Sequence, residues 1–383
     1  MAADRRYHGL MFRHAALAAV VVSSLAAATP SSDLTAPLAA VERAAQATFA
    51  QRPLGSITLA VVAGKDVVLI RSYGNADIET KNPATPDTVY RIGSLTKMFT
   101  GLMLEQLVEA GKVRYTDHAA SYLPEIESIP AHSPDAPPVT LLQLATHTAG
   151  LAKEPDNMDL FATGGPPSSW EKPLLAALLH TRYEFDPGTH YQYSNIGYAI
   201  LGAALARASG ESYMDYIPRH ILQPLGMTHC ALERTPAIAL HLATGYEPAA
   251  NGLDAATPRK EHEGRGYKMP SGAMYSTAGD LARFASFLLG QGPDTVLGPA
   301  ALERWMTPPA PPFAAYGHGV MAIHRPDYIA LGHSGAVAGY AAALYLNRSR
   351  GIGVIVLTNA PLNATSPTIL ALRCLDLLSS RPA

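Results

Sequence analysis

The most continuous apolar pattern in the chain begins at residue 94. In SLTKMFTGLMLEQLVEAG, apolar side chains would point in most directions around a helix, and Glu105, Gln106 and Glu109 appear only in the later turns. A helix that is apolar nearly all round is buried. The pattern therefore predicts a buried helix that begins with Ser94 and encloses Lys97, and an enclosed amine needs a chemical reason.

The rest of the pattern places strands at both ends of the chain and helices between them. An amphipathic helix is predicted over 33–51, followed by the strands SITLAVVA and DVVLIRSYG, which Gly64-Lys65 separates as a β-hairpin. Further strands are predicted in YGHGVMAIH, YIALGHSG, YAAALYLN and IGVIVLTNA, before a final helix over about 365–379. The helices predicted between them lie in LLQLATHTAGL, LLAALLHT, IGYAILGAALARASG and TAGDLARFASFLLG, with long loops at 126–138 and 246–272.

This order of elements predicts an α+β fold. One antiparallel sheet is expected from the N- and C-terminal segments, 33–93 and 300–383, with flanking helices. Residues 94–299 are expected to form a large, mainly helical insertion, and the regions together form one unit. No repeat of fixed period is visible in the sequence.

Composition and charge narrow the classes of protein. The 383 residues are 48% hydrophobic and 16% charged, which suits a large globular core and not a disordered chain. A net charge of −2 provides no basic surface for nucleic acid. The sequence contains no G-x-G-x-x-G, no Walker A motif and no H-E-x-x-H, so no nucleotide cofactor and no metal are expected.

The N terminus is typical of an export signal. Three arginines precede the apolar run 15–27, and the small residues 26–28 offer a cleavage site. The run is short for a membrane span. We therefore expect residues 1–28 to be removed as a signal peptide, leaving a periplasmic or secreted protein with no stable membrane span. The alternative is an uncleaved anchor, and Met11 is a second candidate start.

The two cysteines and one acidic segment suggest no chemistry of their own. Cys230 and Cys374 could pair in an exported protein, but spacing alone does not fix their distance, and we favour two separate core thiols. Neither cysteine stands in a turn that opens a helix, so a thiol nucleophile is the weaker candidate. The Glu261-His262-Glu263 segment is interpreted as a solvated loop, not as a metal site.

Ser94 and Lys97 form the first chemical motif, S-x-x-K. Positions three apart lie on one face of a helix. A serine hydroxyl becomes a good nucleophile when a base takes its proton, and a buried lysine can be that base because desolvation lowers its pKa. Backbone N–H groups at the helix N-terminus would favour developing negative charge. The structural alternative is that Ser94 caps the helix and Lys97 reaches solvent.

A second motif lies in YQYSNIGY, after a Pro-Gly turn and before a predicted helix. The Tyr193 hydroxyl could relay a proton between Ser94 and a leaving group. The Asn195 amide could hold both Lys97 and a substrate carbonyl, because it carries donors and an acceptor. The structural alternative makes Asn195 the helix N-cap and Tyr193 a packing residue.

A third motif, His333-Ser334-Gly335 in LGHSGAVAGY, ends a predicted strand. Its glycine would let a substrate backbone approach closely. The strand edge could pair with a peptide-like ligand. The structural alternative is a histidine that only packs within the strand.

Together, SLTK, YSN and HSG resemble the motifs of the serine penicillin-recognising family, S-x-x-K, Y-x-N and K-T-G or H-[ST]-G. That family includes class C β-lactamases, D-alanyl-D-alanine carboxypeptidases, and related esterases and D-amino peptidases. The resemblance covers nearly the whole predicted mature chain. It extends to the segments NADIETKNPATPDTVYRIGSLTKMFTGLMLEQLVEAGKV, LLQLATHTAGL, GTHYQYSNIGYAILG and SGAMYSTAGDLARF.

The resemblance implies a role for each motif residue. Ser94 would be the acylated nucleophile, Lys97 its proton acceptor, and Tyr193 a proton relay or, as an anion, the base. The N–H groups of Ser94 and Ala336 would form the oxyanion hole, and His147, in ATHTAGL, is interpreted as structural. No metal or cofactor is needed. The residues that the resemblance assigns to substrate binding are Asn195, His333, Ser334 and Gly335, with support of Tyr193 as a second role for the histidine.

His333 departs from many class C β-lactamases, which carry a lysine there. A charged lysine suits a substrate carboxylate, whereas histidine is mostly neutral near pH 7. YSN with HSG therefore looks more like the carboxypeptidase and esterase branches.

The leading hypothesis is an exported serine hydrolase that acts through a Ser94 acyl-enzyme on D-alanyl peptides or small carboxylic esters. The alternatives are a class C-like β-lactamase and a catalytically inactive binding protein on the same scaffold. An α/β-hydrolase is excluded because no G-x-S-x-G occurs. The expected partner is a small-molecule or peptide substrate, and the oligomeric state stays open.

Overall fold

A computed structural model of the chain describes residues 34–162, 164–250, 252–308, 315–360 and 366–380. The predicted export segment, 1–28, lies outside the described residues. Within those ranges, no helix is both long enough and apolar enough to cross a membrane.

The strands cluster near the two ends of the chain, with two short pairs between them. They are β1 (Ser56–Ala63), β2 (Asp66–Asp77), β3 (Asn82–Pro83), β4 (Tyr90–Arg91), β5 (Glu247–Ala249), β6 (Gly252–Asp254), β7 (Tyr275–Ser276), β8 (Met321–His324), β9 (Ile329–Val337), β10 (Tyr340–Asn347) and β11 (Ile352–Thr358).

The helices occupy mainly the middle of the chain. They are α1 (Thr35–Gln51), α2 (Thr96–Glu109), α3 (Leu141–Ala145), α4 (Glu171–Leu178), α5 (Asn195–Ser209), α6 (Tyr213–Ile217), α7 (Pro236–His241), α8 (Ala256–Lys260), α9 (Met269–Gly272), α10 (Ala278–Ser286), α11 (Pro299–Trp305) and α12 (Pro367–Ser379).

The main sheet joins the two ends of the chain. Its seven strands are antiparallel and lie in the order β3–β2–β1–β11–β10–β9–β8. At its centre β1 pairs with β11, with Ile57 opposite Thr358 and Ala63 opposite Ile352. The predicted α+β fold, with a sheet from both ends and a helical insertion, is confirmed. The exact division into 33–93, 94–299 and 300–383 stays a prediction.

Both faces of the sheet centre are covered. Every residue of β1 and of β11 is buried. Leu59 and Val61 belong to the cluster that includes buried residues of α1 and α12. Ala60 and Val62 belong to the larger cluster that includes α2, α5 and α10. Because side chains alternate along a strand, coverage of both faces explains why SITLAVVA is apolar throughout.

Several predicted elements have different bounds in the structure. The helix expected in LLQLATHTAGL ends at Ala145, because His147 has a φ of 60° and Gly150 a φ of 82°. Such left-handed positions cannot continue an α-helix. The loop predicted at 246–272 contains the β5–β6 ribbon and the short helices α8 and α9.

Cys230 and Cys374 are free thiols in two different hydrophobic clusters. Cys230 Sγ lies 2.9 Å from the hydroxyl oxygen of Ser276. Burial raises the pKa of both thiols, that of Cys374 to about 12. The interpretation as separate thiols is confirmed, and neither cysteine has the thiolate character that a nucleophile needs.

Candidate active site

Ser94 lies where the chain enters α2. It occupies a 3₁₀ turn, Gly93–Leu95, so the α-helix begins at Thr96, two residues later than predicted. The turn and the first half of α2 are packed inside the protein, and every residue from Leu95 to Glu105 is buried. The enclosure of Lys97 that the apolar pattern predicts is therefore present, with no exposed side-chain surface.

Three polar atoms surround the amine of Lys97. Its Nζ lies 3.1 Å from Ser94 Oγ and donates to Asn195 Oδ1 and to the Ser271 carbonyl oxygen, both at 2.7 Å. Burial lowers the pKa of Lys97 well below its usual value, although the charge of Glu154 opposes this. A neutral amine has two N–H groups and one lone pair. When Asn195 and Ser271 accept the two N–H groups, the lone pair remains for the Ser94 hydroxyl.

The YSN motif enters the site from the start of α5. Ser194 is the helix N-cap, because its Oγ accepts a hydrogen bond from the Gly197 N–H at 2.9 Å. The Asn195 amide is therefore available to Lys97, and the Tyr193 ring centroid lies 4.8 Å from Lys97 Nζ. Burial raises the pKa of Tyr193, partly offset by a hydrogen bond with Ser94. A protonated hydroxyl suits the relay role and disfavours the anionic base.

The HSG motif on β9 packs directly against the nucleophile turn. A Cβ on Gly335 would collide with the Ile92 carbonyl oxygen and lie 2.8 Å from the Ser94 backbone nitrogen. A Cβ on Gly93, whose φ is 52°, would lie 2.8 Å from the Ala336 backbone nitrogen. Glycine at both positions thus lets the two backbone nitrogens lie close together. That they form an oxyanion hole stays a prediction.

His333 is almost completely buried, with 2% of its surface exposed. Its Nε2 lies 2.9 Å from the Tyr316 hydroxyl, and its Nδ1 contacts the Ser334 carbonyl oxygen. Burial, with a smaller contribution from Lys97, lowers the pKa of His333 to about 3. A neutral ring with both nitrogens engaged does not fit a cationic contact to a substrate carboxylate, and it favours a supporting role.

His147 lies behind the YSN motif. Its Nδ1 accepts a hydrogen bond from the Ser194 N–H at 3.0 Å. Its ring centroid lies 4.3 Å from that of Tyr193 and 4.5 Å from that of Tyr316. Burial lowers the pKa of His147 well below its usual value, so the ring is neutral. These contacts agree with a structural role.

Four residues near Lys97 lie outside the three motifs and were missed in the sequence. Glu154 Oε1 accepts a hydrogen bond from Asn195 Nδ2 at 2.7 Å, and Glu154 Oε2 accepts from the Tyr267 hydroxyl. Lys268 Nζ lies 3.5 Å from Glu154 Oε1, and Ser271 supplies the carbonyl described above. The sequence offered one signal for these residues: Glu154 comes only three residues after the segment LLQLATHTAGL, which resembles the family.

The expectation that Glu261-His262-Glu263 is a solvated loop is wrong for its first two residues. Glu261 Oε2 accepts hydrogen bonds from the buried Arg91, at 2.7 Å, and from Arg265. His262 Nδ1 lies 2.8 Å from the tyrosine hydroxyl of β7, and burial lowers the pKa of His262 to about 3. A buried guanidinium needs a carboxylate partner, which draws this segment inward. Within the described ranges, no group of three His, Cys, Asp or Glu is placed to hold a metal.

Residues 39–376 match the family model described as Beta-lactamase. Protein flp from Staphylococcus aureus (strain N315) is 28% identical over 309 residues, which are 80% of this chain and 59% of that protein. Beta-lactamase-like protein 2 from Dictyostelium discoideum is 31% identical over 263 residues, 66% of this chain and 45% of that protein. The chain thus matches only 45% to 59% of the length of these two relatives.

Solved structures share the fold. An octameric penicillin-binding protein homologue from Pyrococcus abyssi has a TM-score of 0.74 and 26% identity, covering 89% of this chain and 77% of that one. D-alanine carboxypeptidase AmpC from Burkholderia cenocepacia has a TM-score of 0.72 and 23% identity, and the match covers 90% of this chain and 99% of that one. A class C beta-lactamase has a TM-score of 0.73 and 20% identity, and the match covers 92% of this chain and 99% of that one. The chain belongs to the beta-lactamase family, the serine penicillin-recognising family that its motifs resemble.

Proposed function

We propose that this protein is an exported serine hydrolase that forms an acyl-enzyme at Ser94 with D-alanyl peptides or small carboxylic esters. The observation that carries the proposal is the fully buried amine of Lys97, 3.1 Å from Ser94 Oγ. The three atoms within hydrogen-bond reach of the amine, on Ser94, Asn195 and Ser271, are uncharged, so burial favours the neutral amine that can take a proton. A strongly perturbed lysine beside a serine is typical of an activated nucleophile.

In the proposed acylation step, Ser94 Oγ attacks the substrate carbonyl carbon while Lys97 takes the hydroxyl proton. The carbonyl oxygen gains negative charge and is received by the N–H groups of Ser94 and Ala336. The bond to the leaving group then breaks as Tyr193 donates its proton to that group and regains one from Lys97. Water afterwards attacks the acyl carbon, and the bond from that carbon to Ser94 Oγ breaks. The hydroxyl group of the water leaves with the carboxylic acid, and its other proton passes to Ser94 Oγ.

Within this proposal, the neutral and buried ring of His333 favours uncharged esters as substrates. β9 contains no lysine or arginine, and its one histidine is neutral and buried. A substrate carboxylate next to this strand would therefore find no cationic side chain on the strand itself. Small carboxylic esters need no such partner at the leaving group.

A class C-like β-lactamase is the second candidate. It would form the same acyl-enzyme, and the difference is how fast water removes the acyl group. The fold shared with a class C beta-lactamase supports this candidate, but only at the level of fold. A catalytically inactive binding protein is disfavoured, because Ser94, Lys97 and Asn195 lie within hydrogen-bond reach of one another through the lysine amine.

One experiment separates these candidates. The protein is incubated with a fluorescent penicillin, a chromogenic cephalosporin and p-nitrophenyl butyrate, and covalent labelling is compared with turnover. Fast ester turnover with slow cephalosporin turnover supports the leading proposal. Rapid cephalosporin turnover would support the β-lactamase, and neither labelling nor turnover with any of the three would support an inactive protein.

Export is part of the proposal and rests on the sequence of residues 1–28. Expression of the full chain with fractionation of the cells tests it. The expected result is a protein outside the cytoplasm whose N-terminal sequencing begins at Thr29. A full-length protein retained in the cytoplasm would contradict this part and leave the chemistry at Ser94 untouched.

A further inference from the structure

A carboxylate completes the polar network around Lys97. Asn195 Nδ2 donates to Glu154 Oε1 at 2.7 Å, while Asn195 Oδ1 accepts from Lys97 Nζ at 2.7 Å. An ionised carboxylate only accepts hydrogen bonds, so it decides which end of the amide faces it. The opposite end, the carbonyl oxygen, is thereby turned toward the amine.

The Glu154 carboxylate is itself held in place. The Tyr267 hydroxyl donates to its second oxygen, and Lys268 Nζ lies 3.5 Å from the first. The neighbouring Lys153 carbonyl oxygen accepts the Asn195 backbone N–H at 2.9 Å. Because the side chain of Glu154 is 22% exposed and bonded at both oxygens, it cannot rotate away without losing these contacts.

Among the described residues, Glu154, Lys268 and Lys153 are the charged groups that act on the Lys97 amine. Glu154 is the anion among them, and its charge raises the pKa of Lys97 against the larger, lowering influence of burial. Lys268 and Lys153 lower that pKa further. The uncharged titratable groups near the amine are Tyr193, Tyr198, His147 and His333.

We propose that Glu154 is a positioning residue for the reaction proposed above: it orients the Asn195 amide toward Lys97, and its negative charge favours protonation of the amine. This inference rests on the proposed function, since it assigns Lys97 the role of proton acceptor. It adds a residue outside the three sequence motifs to the machinery of the site.

The two parts of the role are separated by two substitutions. Glu154→Gln keeps an acceptor for Asn195 and removes the charge. Glu154→Ala removes both. A neighbouring anion stabilises a protonated lysine, so its removal lowers the pKa of Lys97, and the neutral amine persists to lower pH.

The measurement is kcat/KM for p-nitrophenyl butyrate as a function of pH. Its acid limb reports the pKa of the base in the free enzyme. In Glu154→Gln, we expect the limb to move to lower pH by roughly half a unit to one unit, a small shift because Lys268 offsets the charge. Lys268→Gln should move the limb to higher pH, because it removes a cation near the amine. Glu303→Gln, an exposed carboxylate on α11, is the control and should leave it in place.

The positioning part has a different signature. Glu154→Ala should lower kcat about tenfold or more, because the Asn195 amide loses its fixed orientation. Glu154→Gln should keep the maximal kcat within a factor of about three, so the conservative variant rescues the larger loss. If Glu154→Ala fails to fold, the opposite shifts of Glu154→Gln and Lys268→Gln still decide the role of the charge.

A direct measurement needs no turnover. Lysine labelled with ¹³C at Cε gives the pKa of Lys97 by NMR titration, and Glu154→Gln should lower it. Failure of the proposed function is visible separately, as a wild-type protein without ester turnover and without labelling at Ser94. An active wild type whose Glu154→Gln variant shows no downward shift would overturn the charge role. Wild-type kcat in a folded Glu154→Ala would overturn the positioning role.

Discussion

The Tyr316 hydroxyl lies 2.9 Å from Nε2 of His333, so one ring nitrogen of the HSG histidine is hydrogen-bonded inside the protein. Nδ1 of His333 contacts the Ser334 carbonyl oxygen, which can only accept, so Nδ1 carries the proton. Nε2 then accepts from Tyr316. Both side chains are buried, and the pKa of His333 is lowered to about 3.

A neutral His333 predicts that substrates of different charge share one pH profile. We expect superimposable kcat/KM profiles for a D-alanyl peptide and a neutral ester between about pH 5 and pH 8. His333→Gln should lower both activities by the same factor, and His324→Gln, on an exposed position of β8, should lower neither. A loss near pH ~6.5 confined to the charged peptide would instead show that His333 binds the carboxylate as a cation.

Ser94 is predicted to be the acylated residue. Ser94→Ala should keep the melting temperature within a few degrees and abolish labelling by a fluorophosphonate, because no other hydroxyl contacts the Lys97 amine within the described residues. Intact-mass spectrometry measures the adduct. Ser168→Ala, on the surface, is the control and should label normally. An adduct that persists in Ser94→Ala would contradict acylation at Ser94.

Lys97 is predicted to act in proton transfer. Lys97→Ala should slow acylation by ~10²- to 10⁴-fold, the usual range for loss of a general base. Pre-steady-state acylation with p-nitrophenyl butyrate measures the rate, and Lys172→Ala, on the surface of α4, is the control. Acylation of Lys97→Ala within a few-fold of wild type would move the base role to Tyr193.

Gly335 is predicted to be essential for the approach of β9 to the nucleophile turn. Gly335→Ala would put a methyl group against the Ile92 carbonyl and 2.8 Å from the Ser94 nitrogen. The strand must move, so kcat should fall by ~10²-fold or more as the candidate oxyanion donors separate. Gly279→Ala, whose Cβ would meet its nearest atom at 3.8 Å, is the matched control. Unchanged kcat in a folded Gly335→Ala protein would contradict this geometry.

Two neutral histidines, the buried His333 and the half-buried His262, predict acid lability. His262 and His333 have folded-state pKa values lowered to about 3, against an unfolded value of ~6.5. Between these two values the unfolded chain binds more protons, so the free energy of unfolding falls as the pH is lowered through ~6.5 toward about 3. The melting temperature should therefore drop steadily from about pH 7 to about pH 4. His262→Gln should make the fall of the melting temperature with decreasing pH less steep. An unchanged fall would show that His262 does not contribute to the acid lability.

Several features followed from the sequence because they depend on local periodicity. The all-round apolar pattern after Ser94 predicted the buried α2 and the enclosure of Lys97, and both are present. The strand patterns predicted the hairpin β1–β2 and the C-terminal strands β8 to β11. Such patterns are readable without coordinates, because burial of a face repeats every two or every 3.6 residues.

Other features were decided only when distant segments met. Asn195 contacts Glu154 across 41 residues, and Lys97 contacts the Ser271 carbonyl across 174. No spacing rule connects such positions, because long loops set their separation along the chain while packing sets their distance in space. The sequence also left open whether the His333 imidazole is charged or neutral. Its burial and its contact with Tyr316, 17 residues away in the sequence, come from tertiary packing. Burial, and not residue type alone, determines whether an imidazole carries charge.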